Sequence, residues 1–133
     1  MTAKIIYEGN LRTRMTHIYS GTEVLTDAPL DNQGLAQAFS PTDLVATALG
    51  SCMISIMGIK ARDMQIDLKG IEAEVTKIME SNPRRISEIQ VTLKFPANNF
   101  SEKEKTILEN AALACPVAKS IHPDIKQEVN FVW

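Results

Sequence analysis

The sequence has no excess of charge of either sign. It carries 14 lysine and arginine residues against 16 aspartate and glutamate residues, which gives a formal net charge of −2 over 133 residues. The two signs are interspersed along the chain, whereas a nucleic-acid-binding domain normally gathers basic residues on one face. The composition therefore argues against a nucleic-acid partner.

Cysteine and histidine are scarce, with two residues of each type. Cys52, Cys115, His17 and His122 are too widely spaced for a zinc motif, and we expect neither a metal nor a cofactor. The sequence also lacks a glycine-rich phosphate loop and a Gly-x-Ser-x-Gly motif. Nucleotide-binding and serine hydrolase functions are therefore not indicated.

Long apolar runs are absent from the start of the chain. The opening residues, MTAKIIYEGN, hold only three consecutive apolar residues before an acid, unlike a secretory signal peptide. No stretch approaches the roughly 20 apolar residues that a membrane span needs. We therefore expect a cytoplasmic protein with no membrane partner. In that compartment a bonded cysteine pair is more typical of transient, catalytic chemistry than of structure.

The chain does contain 44% hydrophobic residues, which is enough for the core of a single globular domain over residues 1–133. Three short strand patterns open it, at residues 3–8, 11–19 and 22–27. Tight turns containing glycine join these strands, which predicts an antiparallel meander. Residues 28–39 contain turn-forming residues and are predicted to form a loop long enough to be functional.

A helix is predicted from Ser40 to about Arg62. Ser40 suits the N-cap, Pro41 the first helical position, and Asp43 the acid of a capping box. No charge occurs between Asp43 and Lys60, and every side is apolar or small. A helix of this kind must be buried on all sides. Because one sheet and one further helix cover it only in part, we expect a homodimer in which a second copy covers the rest.

The second half of the chain predicts two further strands, another helix and a closing strand. The strands lie at residues 66–80 and 86–95, the helix is capped by Ser101 and kinked at Pro116, and the last strand covers residues 125–133. This order of elements predicts an α+β fold, with an antiparallel sheet of about six strands, a long buried central helix and a second, kinked helix.

Both cysteines lie in apolar helical surroundings, where a cysteine is most often a packing residue. Cys115 precedes Pro116 and would cap a short helix, where backbone N–H groups and the helix dipole favour a thiolate. Because both helices are expected on one face of the sheet, a contact between the Cys52 and Cys115 sulfurs is within reach. A sulfenic acid on one thiol would then condense with the other to a disulfide.

Burial raises the pKa of a thiol, so a reactive thiol in the central helix needs a cation nearby. Arg12 and Arg14 are the candidates, since they are two residues apart on the second strand and share a face. Taken singly, either arginine is better explained by a solvated strand face near a hairpin. Asp43 is explained by its role in the helix cap.

Several segments together resemble the OsmC/Ohr family, the osmotically inducible protein C and organic hydroperoxide resistance proteins. They are SPTDLVATALGSC, ACPVAKSI, YEGN, GTEVLTDAP and NPRRISEIQVTLKF. The resemblance spans essentially the whole chain and suits the general OsmC-like branch. It implies an intertwined homodimer with two central helices and two active sites at the subunit interface. It also implies a thiol-dependent peroxidase that prefers organic hydroperoxides.

By this resemblance Cys52 is the peroxidatic thiol, Cys115 is the resolving thiol, and an unidentified dithiol is the reductant. The activating arginine is Arg12, with Arg14 as the alternative. The family's peroxidases carry a glutamate directly after the proline that opens the central helix. This chain has threonine there, and its nearest acid is Asp43, one position later.

Two other functions fit the same residues. An apolar site lined by Met53 and Met57 beside the cysteines would suit a small hydrophobic ligand, because methionine adapts its shape. Alternatively, a disulfide between the cysteines would act as a redox sensor that changes the shape seen by a partner.

Overall fold

The computed structural model describes residues 1–133, which form two compact units at residues 1–45 and 46–133. Each unit contains one three-stranded sheet. The elements are of mixed α and β type, as predicted. Whether the two units act as a single domain stays a prediction.

The first unit contains the predicted meander. Its strands are β1 (Ala3–Gly9), β2 (Arg12–His17) and β3 (Glu23–Asp27). They pair antiparallel in the order β1-β2-β3. The connection between β2 and β3 is closed by a hydrogen bond from the His17 N–H to the Thr22 carbonyl at 2.9 Å, and this fixes the register of the hairpin.

The loop at residues 28–39 folds back onto the end of β3. The Asp27 N–H donates to the Phe39 carbonyl at 3.1 Å, so both ends of the loop meet. A short 3₁₀ turn covers Leu30–Asn32. Gly34 is required for the tight return, because a Cβ at that position would overlap the Ala28 carbonyl. Backbone hydrogen bonds and this close approach therefore fix the path of the loop.

The central helix α1 covers Pro41–Asp63. Its predicted capping box is confirmed: the Asp43 N–H donates to Ser40 Oγ at 3.1 Å, and the Ser40 N–H donates to Asp43 Oδ2 at 2.8 Å. One face of the helix is fully buried, and its residues are Ala46, Leu49, Gly50, Met53, Met57 and Ala61. Gly50 allows a close approach to β4 (Glu72–Glu80), since an added Cβ would lie 2.9 Å from Val75 Cγ2.

The opposite face of α1 is open in the single chain. Val45 is 40% exposed and Ile59 is 50% exposed, and Thr47, Ser51 and Ser55 are exposed between them. A single chain therefore covers the helix only in part, as expected, and burial of the open face by a second copy stays a prediction. The reason is that a single sheet and the later helices cover only one side of a long helix.

By length and composition α1 also qualifies as a candidate membrane span. The expectation that no stretch approaches that size is therefore wrong, since α1 has 23 residues. The same test is passed by core helices of soluble proteins, and α1 places its largest apolar residues in a protein core. The length of α1 is thus weak evidence for a membrane.

The sheet of the second unit differs from the prediction in its strand pairing. β4 pairs antiparallel with β5 (Arg85–Lys94), but β5 pairs parallel with β6 (Lys126–Val132). The prediction of one antiparallel sheet of about six strands is wrong, because the strands form two separate sheets of three. The parallel pair arises because the chain between β5 and β6 crosses over through helices.

Those helices are α2 (Glu102–Leu113) and α3 (Pro116–Ser120). The predicted kink at Pro116 is a complete break between two helices. The predicted capping box of α2 is present at Ser101 and Glu104. The core lies between α1, α2 and the inner face of the sheet, and its fully buried large residues include Leu49, Met53, Met57, Ile89, Val91, Leu93 and Leu108.

Candidate active site

Both cysteines belong to the second unit, and both are free thiols. Cys52 lies on α1, is half-buried and packs against the core, while Cys115 is fully buried within it. The two side chains lie close enough for the Cys52 sulfur to raise the pKa of the Cys115 thiol. The structure therefore brings together the two thiols that are 63 positions apart in the sequence.

The position of Cys115 follows from the local sequence. Pro116 occupies the first position of α3, where its missing N–H is not needed. Cys115 is the N-cap in an extended conformation, and the Ala118 N–H donates to its Sγ at 3.4 Å. The Cys115 N–H donates to the Ala112 carbonyl at 3.1 Å. The predicted cap is confirmed, and it fixes the direction of the thiol.

The cap lowers the pKa of the Cys115 thiol, as predicted, but the net shift of this pKa is upwards. Burial raises the pKa of the Cys115 thiol above its ordinary value, and the neighbouring Cys52 sulfur raises this pKa further. The Ala118 N–H lowers the pKa, but by less than burial raises it. Removing a thiolate from water outweighs one weak hydrogen bond. Cys115 is therefore a protonated thiol at neutral pH.

This shift predicts a loss of stability at alkaline pH. A thiol that ionises at higher pH in the folded than in the unfolded chain stabilises the fold below its ordinary pKa, about 8.5. That stabilisation is lost as the pH rises through the folded pKa. In urea titrations with reductant present, the free energy of unfolding of the wild type should fall with rising pH more steeply than that of Cys115→Ser. Parallel curves for the two proteins would rule out the shifted thiol.

Arg12 and Arg14 both belong to the first unit, on β2, with different partners. Arg12 Nε and Nη2 donate to Asp27 Oδ1 and Oδ2 at 2.7 and 2.8 Å, a bidentate ion pair. Arg14 pairs with Glu8 and with Glu23 at a more exposed position. Arg12 is thus held by a buried acid, and Arg14 by two surface acids.

Asp27 was not identified from the sequence. It lies opposite Arg12 in the β2–β3 ladder, and its side chain is only 3% exposed. The Arg12 guanidinium holds the pKa of the Asp27 carboxyl below its usual range. Asp27 could be identified as one half of an opposite-charge pair across two neighbouring strands. That pair can be recognised only when the register between β2 and β3 is known.

Asp43 is placed at the start of α1, where it completes the helix cap with Ser40. The hydrogen bonds of Arg12 go instead to Asp27 and Gln37. The acid that clamps this arginine is therefore Asp27. The described residues contain no group of three or more histidine, cysteine or acidic side chains arranged for a metal ion.

The model of the OsmC-like protein family matches residues 33–130. The crystal structure of a "putative osmotic stress induced and detoxification response protein" from Psychrobacter arcticus 273-4 is 55% identical, with a TM-score of 0.94. That match covers 98% of this chain and 95% of the other. The comparison with curated proteins gives no match.

More distant structures share the fold. The organic hydroperoxide resistance protein OsmC of Legionella pneumophila is 16% identical, with a TM-score of 0.73 over 100% of this chain and 98% of that one. OhrB of Bacillus subtilis, also an organic hydroperoxide resistance protein, is 16% identical, with a TM-score of 0.67 over 98% of each chain. The family model and the Psychrobacter protein together show that this chain belongs to the OsmC-like protein family.

Proposed function

We propose that the protein is a thiol-dependent peroxidase that reduces hydroperoxides, with organic hydroperoxides as preferred substrates. The observation that carries this proposal is the interaction of a half-buried thiol, Cys52, with a fully buried thiol, Cys115. A structural pair of packing cysteines needs no such difference in exposure. A peroxidatic pair needs this difference in exposure, because the oxidant must reach one sulfur first and the second sulfur must react only afterwards.

In the first step the Cys52 thiolate attacks one oxygen of the hydroperoxide. A sulfur–oxygen bond forms, the O–O bond breaks, and the alkoxide leaves as the alcohol after taking a proton. Cys52 is then a sulfenic acid. Cys115 does not attack the hydroperoxide in this step, because burial raises its pKa and keeps its thiol protonated.

In the second step the Cys115 sulfur attacks the Cys52 sulfenic acid. A disulfide forms, and the hydroxyl leaves as water with the proton of the Cys115 thiol. The Ala118 N–H, which contacts the Cys115 Sγ, stabilises negative charge that develops on this sulfur as its proton departs. A dithiol reductant then returns both cysteines to thiols through thiol–disulfide exchange.

Arg12 is the proposed activating group, with Arg14 as the alternative. A guanidinium near the reacting atoms stabilises the thiolate and the charge on the departing oxygen. Arg12 is favoured because its guanidinium is fixed by a bidentate pair, whereas Arg14 lies at a more exposed place between two surface acids. Asp43 is assigned a structural role, since it caps the start of α1 together with Ser40.

The test of this function is the loss of free thiols when the reduced protein is mixed with cumene hydroperoxide. Both thiols of each chain should disappear in one turnover without added reductant, and a dithiol should restore them. If the number of free thiols does not fall on mixing with cumene hydroperoxide, the proposed function is wrong. The alternative of a ligand-binding module has less support, because Met53 and Met57, expected to line its pocket, are fully buried in the core.

We also propose a homodimer in the cytoplasm. The open face of α1 supports the dimer, and so do the exposed apolar residues of β1, where Ile5, Ile6 and Tyr7 are all exposed. Apolar patches of this kind on a small chain usually mark an interface. The paired protomers would then form the two active sites that the family resemblance implies.

The dimer predicts an assembly of twice the chain mass of 14.7 kDa in light scattering. Ser51→Arg, which places a long cation on the open face of α1, should shift the protein towards the monomer. Ser81→Arg adds the same side chain at an exposed turn and should leave the mass unchanged. A wild-type monomer at micromolar concentration would contradict the proposed assembly.

A further inference from the structure

Gln127 is a polar residue on the apolar face of β6. Side chains alternate between the two faces along a strand, so Gln127 shares a face with Val129 and Phe131, which both pack against the core. Gln127 is half-buried, and Ile89, its partner in the ladder with β5, is fully buried. Burying an amide among apolar side chains is unfavourable unless its polar atoms are bonded. A glutamine at this position therefore needs a specific partner.

The partner of Gln127 is the backbone of α3. Gln127 Nε2 donates a hydrogen bond to the Ala118 carbonyl at 3.0 Å. The last carbonyls of a helix find no N–H inside the helix, so a donor from another element satisfies this one. α3 has only five residues, and helices shorter than about 12 residues are marginal on their own in water. Gln127 therefore ties a short helix to β6.

Ala118 is also the residue whose N–H contacts the proposed resolving thiol. The Ala118 N–H donates to Cys115 Sγ at 3.4 Å, while the Ala118 carbonyl accepts from Gln127. Both contacts are made by the backbone of one residue, so a side chain that holds the carbonyl also fixes the position of the N–H. The link from β6 to the Cys115 sulfur therefore passes through Ala118 alone.

The N–H contacts matter because burial disfavours the Cys115 thiolate. Burial raises the pKa of the Cys115 thiol, whereas the backbone N–H groups of Ala118 and Val117 lower it. When the Cys115 sulfur attacks the Cys52 sulfenic acid, it gives up its proton and the hydroxyl leaves as water. Donors at the sulfur stabilise the negative charge that develops on it. Displacing α3 should therefore slow this step without changing Cys52.

We propose that Gln127 is a positioning residue for the resolving thiol, and that it sets the rate of disulfide formation while leaving the first oxidation of Cys52 unchanged. This inference rests on the proposed peroxidase function. In this role Gln127 acts through the Ala118 backbone and is not a catalytic residue. All of the contacts that carry it lie within the second unit.

Gln127→Met removes the donor and keeps a side chain of similar length on the apolar face. In excess cumene hydroperoxide the Cys52 sulfenic acid either forms the disulfide or is oxidised further to the sulfinic acid. The ratio of sulfinic acid to disulfide, measured by mass spectrometry, should rise by roughly threefold to tenfold over the wild type, the scale of one lost hydrogen bond. The rate at which Cys52 first reacts should stay unchanged.

Two control variants separate this contact from its surroundings. Glu128→Gln changes the next residue of β6, a partner of Lys126, and should leave both the ratio and the first rate unchanged. Ser120→Ala removes a different hydrogen bond of α3, from Ser120 Oγ to the Pro116 carbonyl at 2.7 Å. An equal rise of the ratio in Ser120→Ala would overturn the inference, because the general stability of α3 would then set the rate. Gln127→Asn, whose amide is one methylene shorter, serves if Gln127→Met does not fold.

A second readout does not depend on peroxide chemistry. In NMR spectra of the reduced wild type the Ala118 amide proton should be protected from exchange with water, and in Gln127→Met it should exchange faster. The amide proton of Leu108, in the middle of α2, should exchange equally slowly in both proteins. An unprotected Ala118 amide in the wild type overturns the inference. Protection that Gln127→Met leaves unchanged overturns it as well.

The outcomes for the positioning role and for the proposed function are distinguishable. If the wild type does not react with the hydroperoxide at all, the peroxidase function fails, and the positioning role fails with it. If the wild type reacts and Gln127→Met gives the same ratio of sulfinic acid to disulfide, only the positioning role is overturned. A slower first reaction of Cys52 in Gln127→Met also overturns it, because the substitution would then act on more than the resolving thiol.

Discussion

Replacing Cys52 by serine should abolish the reaction of the reduced protein with cumene hydroperoxide. A serine hydroxyl is a much weaker nucleophile than a cysteine thiolate, and the remaining thiol, Cys115, is buried and kept protonated. The rate of thiol loss should fall to that of the uncatalysed reaction. Stopped-flow mixing with the hydroperoxide, followed by a count of free thiols, measures this directly.

Cys115→Ser is the matched control, since it removes the other thiol by the same change. Its first oxidation step should remain at close to the wild-type rate, because Cys52 is intact. Without a resolving thiol, Cys52 should stop as a sulfenic acid, which dimedone traps and excess peroxide converts to the irreversible sulfinic acid. Equal rates in both single variants would show that the roles assigned here are wrong.

Leu108→Ala should destabilise the fold more than any other single truncation on α2. The side chain is completely buried in the core, and the change removes several methyl and methylene groups and leaves a cavity. The expected loss is about 2–5 kcal/mol in the free energy of unfolding. Trp133 is the only tryptophan and stacks on Phe95 with ring centroids 3.8 Å apart, so its fluorescence can follow unfolding in urea.

Leu113→Ala makes the same chemical change at the end of the same helix. Leu113 is 46% exposed, so its loss should change the free energy of unfolding by under about 1.5 kcal/mol. The comparison removes differences in helix propensity, because both variants replace leucine by alanine. Similar losses at both positions would contradict the core placement described here, or would place Leu113 in the dimer interface.

The local elements of this fold were predictable because their signals are local. Ser40 and Asp43, like Ser101 and Glu104, are capping-box pairs three residues apart, and both boxes form. The break at Pro116 follows from its missing N–H. These contacts depend on neighbours within one turn, which the sequence shows directly.

The pairing of strands was less predictable, because it depends on contacts between distant segments. A two-residue turn at Ser20 and Gly21 would place Arg14 opposite Asp27. The actual connection is longer, and Arg12 pairs with Asp27 instead. A shift of two positions keeps the same face but changes which arginine is clamped. The separation into two sheets had no local signal either.

The proximity of the two cysteines was predictable from the sequence, and their electrostatics were not. The sequence places Cys115 at a helix cap, which favours ionisation, and this contact forms. The net pKa shift has the opposite direction because burial is complete, and the depth of burial is set by the packing of α1, α2 and the sheet together. Asp27 was missed for a related reason, since its burial and its partner are both tertiary properties.

Peptide mapping of the peroxide-treated protein tests the central claim most directly. The reduced wild type is treated with one equivalent of cumene hydroperoxide per chain, quenched with an alkylating reagent and digested without reduction. We expect one cross-linked peptide pair joining Cys52 to Cys115, and none in either single serine variant. Recovery of both cysteines in alkylated form, after the hydroperoxide has had time to react, would contradict the account.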